Sequence, residues 1–248
     1  ICRRTSCRNG WTAAGASNGM TRMLLIPCWI LSGTRKEKKS KSTSIPAGKE
    51  LMKLSGKIIA VSGSPSSGKT LTAVKIAKAL ADFKRQVILV CCDEQVPAIP
   101  LLIPESDEST PNLGSLLRLS EPSPITVLRH CIPFGKSGLI GLLGYRIGDQ
   151  SPPQDAGEKG SKLFSVLRGC TDYTVIDCGP ENSLASPAFG ACDIRFRLFN
   201  AGLKSFVFFE ANKKEEGKAV INVLNNLKPN QDASVAGESL GPVPYVLP

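Results

Sequence analysis

The sequence predicts a three-layer α/β domain in which a mostly parallel β-sheet carries helices on both faces. Two short apolar runs, residues 57–62 and 87–91, are rich in β-branched residues, as is typical of strands buried in a parallel sheet. Between them, apolar residues recur at the spacing of one helix face, at Leu71, Val74, Ala77 and Leu80. A strand, a helix and a second strand in this order form the βαβ unit from which such sheets are built.

The turn between the first strand and the helix carries the phosphate-binding pattern G-x-x-x-x-G-K-[ST]. Its eight residues are Gly63, Ser64, Pro65, Ser66, Ser67, Gly68, Lys69 and Thr70. The glycines allow main-chain N–H groups to point at phosphate oxygens, the lysine reaches the outer phosphates, and the threonine hydroxyl takes a place on Mg²⁺. The positive end of the following helix adds to the same anion site. The flanking strand and helix favour a nucleotide-binding loop over a Gly/Ser-rich turn that binds nothing.

Two acids at the ends of apolar strands are candidates for the rest of the site. Asp177 ends the run 173–177, just before the strand-breaking residues 179–180, and we expect it to hold Mg²⁺ through water. Asp93 follows the run 87–91 and is expected to orient the attacking water or to join the metal shell. The alternatives are an ordinary strand-ending turn at Asp177 and a solvent-exposed loop acid at Asp93. The predicted catalytic residues are Lys69, Asp93 and Asp177.

With these motifs in place, residues 57–248 resemble the ParA/MinD group of P-loop ATPases. In that group, a strand after the loop ends in Asp near Gln, as residues 93–95 do, and a later strand ends in hydrophobic-Asp-x-x-Pro, as residues 175–180 do. A further strand ends in an asparagine that contacts adenine, and the match is Asn226 (or Asn225). A final proline-marked strand matches residues 243–248. The resemblance implies ATP and Mg²⁺ as ligands, an ATPase that works as a molecular switch in DNA or cargo partitioning, and a homodimer.

One position departs from the pattern of that group. Its signature is a second lysine in the loop, K-G-G-x-G-K-[ST], which reaches across a dimer to the partner's nucleotide. Ser64 stands in that place here, so the loop is of the ordinary Walker A type. Two other functions therefore stay open. One is a small-molecule P-loop kinase, which needs an acceptor pocket with Arg or Lys residues. The other is a module that binds nucleotide or DNA without hydrolysis.

The remaining segments give weaker structural signals. Residues 96–124, rich in proline and serine, are expected to form either a switch-type loop region or an irregular surface insertion, with a short helix at 113–119. Residues 139–143 and the alternating run 194–199 are predicted strands. The run 206–209 fits a helix and a strand equally well.

The charge distribution predicts two regions. The 248-residue chain has a formal net charge of +10, and residues 1–50 hold ten Lys/Arg and two acids, a net of +8. We expect residues 1–50 to be a poorly ordered basic extension and residues 51–248 to be the nucleotide-binding domain. The basic segment favours a flexible linker, with contact to DNA or an anionic surface as the alternative. The apolar run 23–31 is too short to cross a bilayer as a helix, so no transmembrane segment is expected.

Cysteine usage indicates a reducing compartment. None of the nine cysteines forms a C-x-x-C pair, and the chain has one histidine, so zinc-site spacing is absent. Several cysteines lie inside apolar runs, where a free thiol behaves as a small hydrophobic group. We therefore expect a cytoplasmic protein.

Overall fold

The computed structural model describes residues 55–149, 152–179, 183–212, 219–225 and 245–246. The strands are β1 (Lys57–Gly63), β2 (Val87–Cys91), β3 (Ile132–Phe134), β4 (Ile140–Gly144), β5 (Tyr173–Asp177), β6 (Ile194–Phe199), β7 (Val220–Leu224) and β8 (Tyr245–Val246). The helices are α1 (Lys69–Asp82), α2 (Ile99–Leu102), α3 (Leu113–Leu117), α4 (Pro124–His130), α5 (Ala156–Cys170), α6 (Ala185–Ala191) and α7 (Leu203–Ala211).

These strands form one sheet in the order β3-β4-β2-β5-β1-β6-β7-β8. Every neighbouring pair is parallel except β3 and β4, which are antiparallel. The strand β5 lies between β1 and β2, and its last residue, Asp177, pairs in register with Val61 of β1 and Cys91 of β2. The carboxyl ends of β1, β2, β4 and β5 therefore share one edge of the sheet, where ligands bind in open α/β folds.

The core lies on both faces of this sheet, which confirms the predicted three-layer architecture. Successive β1 residues alternate between the two faces, and both sets are buried, which explains the continuous apolar run. On one face Ile59 and Val61 pack in a cluster with residues of α1 such as Leu80. On the other face Ile58 and Ala60 belong to a cluster with residues of α5, α3 and α6, among them Phe164.

The predicted short segments mostly have the expected form. The strand predicted at 139–143 is β4, the run 194–199 is β6, and the helix predicted at 113–119 is α3. The undecided run 206–209 is part of the helix α7. In the region 96–124, Ile99, Leu113 and Leu116 are fully buried, so part of this segment is packed onto the core.

Two further expectations concern membrane-spanning helices and the packing of the cysteine thiols. Within the part of the chain given above, no helix combines the length and apolarity needed to cross a membrane. None of the six cysteines in that part forms a disulfide bond. Cys91, Cys92 and Cys178 have no exposed surface, and burial raises the pKa of each thiol, so they behave as apolar core residues. The basic extension predicted at residues 1–50 lies outside the described residues.

Candidate nucleotide-binding site

The glycine-rich loop joins the end of β1 to the start of α1 and begins against strand β6. Gly63 has φ +146°, in a region that L side chains rarely adopt, and a Cβ there would lie 2.1 Å from the carbonyl oxygen of Leu198. The next residue, Ser64, donates its main-chain N–H to that same carbonyl at 3.0 Å. The first glycine of the motif is therefore required by the close approach of β6 as well as by its backbone angles.

The middle of the loop has the backbone geometry of an anion site. Ser66 (φ 59°) and Gly68 (φ 84°) are both left-handed, and turns with left-handed residues direct neighbouring N–H groups toward one concave side. For the non-glycine Ser66 this conformation costs about 1 kcal/mol. Within the described residues, the main-chain N–H groups of Gly68, Lys69 and Thr70 have no hydrogen-bond partner. These are the free donors that a helix N-terminus offers to a phosphate.

Side chains from distant parts of the chain hold the loop in this shape. The hydroxyl of Ser64, which is completely buried, lies 2.5 Å from the hydroxyl of Ser205 in α7. Ser205 in turn donates to the side-chain oxygen of Asn200, at the end of β6. The buried amide of Asn225 donates to the carbonyl oxygen of Ser67, another residue of the loop, at 2.7 Å. The loop is thus braced by hydrogen bonds from the segments that follow β6 and β7.

Lys69 and Asp177 bring opposite charges to the mouth of the loop. The Lys69 ammonium donates to the carbonyl oxygen of Ser64 at 3.1 Å. Burial lowers the pKa of Lys69, and the nearby carboxylates of Asp177 and Asp93 act against that shift. The ammonium therefore lies over the loop, in the neighbourhood of both predicted acids.

Asp177 is buried and incompletely satisfied. Only 2% of its surface is exposed, and its Oδ1 atom has no hydrogen-bond partner among the described residues. Burial raises the pKa of Asp177 to about 6, while a hydrogen bond from Thr70 and the charge of Lys69 oppose the rise. A carboxylate held in this way is stabilised by any additional cation that reaches it.

The residues present fit a magnesium ion. The free oxygen of Asp177 and the hydroxyl of Thr70 are hard oxygen ligands, the type that Mg²⁺ prefers. The described residues contain no group of three or more His, Cys, Asp or Glu side chains suited to a metal. A magnesium ion at this position would complete its shell with water and phosphate oxygens, which is its usual mode in nucleotide sites.

Asp93 lies near the site, but one of its oxygens is already engaged. Its Oδ1 atom accepts hydrogen bonds from the main-chain N–H groups of Gln95 at 3.0 Å and Val96 at 2.9 Å. This arrangement fixes the turn that follows β2. The side chain is partly exposed and close enough to Lys69 to influence its pKa. Its role in positioning water stays a prediction.

Of the two asparagines predicted to contact adenine, only Asn225 lies among the described residues. Asn226 lies outside the described residues, as do Pro180 and most of the segment 243–248, of which β8 pairs with β7. The alternative residue, Asn225, uses its amide to brace Ser67. Sequence reasoning missed that bracing role and the roles of Ser205 and Asn200. The position of Asn200 at the carboxyl end of a strand was the one available signal.

A glycine-rich loop between a strand and a helix, next to a strand that ends in a buried acid, defines a P-loop nucleotide-binding fold. Comparison with solved structures narrows the class of P-loop fold. This chain is similar to the MinD septum site-determining protein of Pyrococcus horikoshii in complex with Mg-ADP. The two share 19% identity, the match covers 78% of this chain and 81% of that chain, and the TM-score is 0.57.

Two further structures agree. A ParA family ATPase from Chlorobium tepidum has 15% identity, 78% and 84% coverage, and a TM-score of 0.63. An McdA–ATP complex from Cyanothece has 18% identity, 77% and 83% coverage, and a TM-score of 0.57. The fold is therefore that of the ParA/MinD-type P-loop ATPases, which confirms the fold implied by the sequence resemblance. No protein-family model matches the chain, and no curated protein is detectably similar in sequence.

Replacing Ser64 by lysine, the residue that the signature loop carries, is expected to destabilise this protein. The Ser64 side chain is fully buried against Ser205, so the longer lysine side chain would either bury an ammonium group there or displace α7. We expect a loss of at least about 2 kcal/mol in the free energy of unfolding, measured in urea. Ser64→Ala, which removes only the hydroxyl, should cost about 1 kcal/mol. A Ser64→Lys variant as stable as the parent would show that the side chain does not point inward.

Proposed function

We propose that this chain is a Mg²⁺-dependent ATP-binding protein that works as a nucleotide-driven switch with ATPase activity. The observation that carries the proposal is the set of free N–H groups at Gly68, Lys69 and Thr70, flanked by the Lys69 ammonium and the buried Asp177 carboxylate. Such a set matches the alternating charges of a metal-bound triphosphate. Structures with this fold include a Mg-ADP complex and an ATP complex, which supports the same choice of ligand.

The chain's own groups have separate roles in this proposal. The free N–H groups of Gly68, Lys69 and Thr70 bind the phosphate oxygens, and the Lys69 ammonium moves from the Ser64 carbonyl to neutralise charge on the outer phosphates. Thr70 contributes its hydroxyl to the magnesium ion, and Asp177 holds that ion through water. A magnesium ion held by these residues would supply positive charge that screens the transferred phosphoryl group. Asp93 orients the attacking water with its remaining carboxylate oxygen.

The position of Ser64 sets an expectation for turnover. Its side chain is buried in a hydrogen bond with Ser205, so the loop offers no second ammonium to a partner's nucleotide. We propose that the chain binds ATP, associates with a second copy in its ATP-bound state, and hydrolyses ATP slowly. A role in DNA or cargo partitioning is supported by the likeness to ParA and McdA structures.

The test compares Lys69→Ala with Lys75→Ala. Lys75 is exposed on the same helix, so its replacement removes an equal charge away from the loop. We expect Lys69→Ala to weaken ATP binding, measured by calorimetry with Mg²⁺, by roughly tenfold to a hundredfold, the value of one or two charge-assisted hydrogen bonds. ATP-dependent self-association, measured by light scattering, should be lost with it. Unchanged binding and association in Lys69→Ala, or equal losses in Lys75→Ala, would contradict the proposal.

A further inference from the structure

The outer face of α1 and the turn after it are basic. Their exposed charged side chains are four cations and one acid, a net charge of +3: Lys75, Lys78, Lys84, Arg85 and Asp82. None of these cations forms an ion pair within the described part of the chain. We call this surface the basic face of α1. Its cations repel one another, and an anion bound across them relieves that repulsion.

The turn between β3 and β4 extends the basic face of α1. The Lys78 ammonium lies 5.6 Å from the centre of the Phe134 ring, which places β3 beside α1. Lys136, two residues after Phe134, is exposed in the turn that follows β3. The same turn contains Gly135 and Gly138, and a Cβ added at either would meet no atom within 4 Å. The turn is therefore open to solvent and brings a fifth cation close to the row on α1.

The basic N-terminal segment is attached next to the same surface. Lys57, the first residue of β1, and Val87, the first residue of β2, both pair with Tyr173 of β5. Lys57 and Val87 are therefore two strand spacings apart, roughly 10 Å. Arg85 precedes Val87 by two residues, so residues 1–50, with their net charge of +8, reach the domain close to the basic face of α1.

The acids of the domain are concentrated elsewhere. The connection from β2 to α4, residues 92–123, holds six acids and one base. On α5, which covers the other face of the sheet, Lys159 and Lys162 are paired with Asp155 and Glu158. Residues 51–248 together have a net charge of only +2. The basic face of α1 is therefore a local excess of positive charge on a domain that is nearly neutral.

Lys84 adds its charge to this face from a backbone conformation that disfavours it. Its φ is 59°, and it lies directly after the C-cap residue Phe83. Its N–H donates to the Ala81 carbonyl, and the N–H of Arg85 donates to the Leu80 carbonyl. This is a Schellman motif, in which the left-handed position is usually glycine. A cation near the end of the helix is favourable, but by less than the left-handed conformation costs.

We propose that the basic face of α1, extended by Lys136 and by the attached segment 1–50, binds the phosphate backbone of a nucleic acid duplex without reading its sequence. Exposed lysine and arginine side chains are the groups that neutralise such a backbone. A lipid surface fits less well, because the apolar side of α1 is buried against the sheet. The exposed apolar side chains Leu71 and Phe83 lie at opposite ends of α1, not between the cations. The contact requires no bound nucleotide and does not rest on the proposed nucleotide function.

The test measures binding of the full chain to a fluorescent DNA duplex by anisotropy, in EDTA and without nucleotide. The affinity should fall about a hundredfold between about 50 and 200 mM NaCl, the value for four phosphate contacts. Replacing Lys75 and Lys78 together by glutamine should weaken binding roughly tenfold or more and lower the slope of log affinity against log salt by about 2. Two duplexes of unrelated sequence should bind equally.

The matched control replaces Lys159 and Lys162 together by glutamine. It removes the same charge from the other side of the sheet, so both the affinity for the duplex and its salt slope should stay unchanged. Lys69→Ala should also bind the duplex unchanged, and the variant of Lys75 and Lys78 should retain its affinity for ATP. These two results separate a failure of this proposal from a failure of the proposed nucleotide function.

Lys84→Gly separates binding from stability. The substitution should weaken duplex binding several-fold while it leaves the midpoint of thermal unfolding unchanged or raises it, because glycine fits the left-handed position. An unchanged salt slope in the variant of Lys75 and Lys78, or an equal loss of binding in the control of Lys159 and Lys162, would overturn the proposal. So would tighter binding to vesicles of phosphatidylserine and phosphatidylcholine than to the duplex.

Discussion

Gly63→Ala is expected to be among the most destabilising single substitutions at this site. An added Cβ would lie 2.1 Å from the Leu198 carbonyl oxygen and 2.7 Å from the Leu198 nitrogen, both of which are main-chain atoms of the neighbouring strand β6. Neither can move without breaking the β1–β6 ladder, in which Gly63 pairs with Leu198. The backbone at φ +146° adds strain of about 1 to 3 kcal/mol for any residue with a side chain.

We expect a loss of at least about 4 kcal/mol in the free energy of unfolding, measured by urea denaturation. For a domain of this size, that corresponds to a fall of roughly 8 °C or more in the midpoint of thermal unfolding. Nucleotide binding should fall with it, because Ser64 begins the loop from the same Leu198 carbonyl.

The matched control is Gly169→Ala, in the last turn of α5. No atom lies within 4 Å of a Cβ built there, so the same substitution should stabilise the protein by about 0.5 to 1 kcal/mol through helix propensity. A Gly63→Ala variant that unfolds within 2 °C of the parent would show that β6 does not approach the loop in this way. If Gly63→Ala yields no folded protein while Gly169→Ala does, the expectation is met.

The local parts of the site could be predicted from the sequence because their signals are local. The loop is eight consecutive residues, and the strands on either side of it are continuous apolar runs because both faces of the sheet are covered. Asp177 was identified for the same reason, as the acid that ends such a run. Each of these features is encoded within about ten residues.

The contacts that brace the loop could not be predicted, because they join residues far apart in the sequence. Ser64 and Ser205 are 141 positions apart, and Asn225 and Ser67 are 158 positions apart. The sequence showed that Ser64 replaces a lysine, but the inward direction of its side chain depends on where α7 packs. A serine and an asparagine have no periodic pattern that marks them as partners.

Helix α7 illustrates a different limit. All four residues of the run 206–209 are apolar, so the run has neither the alternation of a half-buried strand nor the polar stripe of an amphipathic helix. In the structure, Phe209 is buried while Leu203, Phe206 and Val207 remain exposed. Apolar residues lie on both sides of the helix, and periodicity therefore could not distinguish the two structures.

Asp177→Asn is expected to make the protein more stable and, at the same time, to weaken its binding of magnesium-bound nucleotide. Asp177 has a pKa of about 6 in the folded protein, compared with about 4 for an aspartate in water, mainly because it is buried. The folded state therefore binds a proton more tightly than the unfolded state does. Stability falls as the pH rises from about 4 to about 6. Above pH 6 the ionised Asp177 carboxylate destabilises the folded state by its full amount.

The two pKa values differ by about 2 units, which corresponds to a cost of about 3 kcal/mol at neutral pH. This difference already includes the favourable effects of Lys69 and Thr70. Asparagine has nearly the same shape and no charge, so it should recover most of that cost. We expect a rise of roughly 5 °C or more in the midpoint of thermal unfolding at pH 7.5, and little change at pH 4.

The effect of Asp177→Asn on binding should have the opposite sign. The neutral amide cannot hold Mg²⁺ through water as a carboxylate does, so the affinity for ATP with Mg²⁺ should fall at least tenfold, while the affinity for ATP in EDTA changes little. Asp82→Asn, an exposed residue at the end of α1, makes the same change in charge and should shift stability by no more than about 0.5 kcal/mol. A stabilised variant with unchanged binding would show that Asp177 does not hold the magnesium ion. A destabilised variant would show that its buried charge is already compensated, and the two measurements together decide whether the carboxylate is kept for its ligand at the expense of the fold.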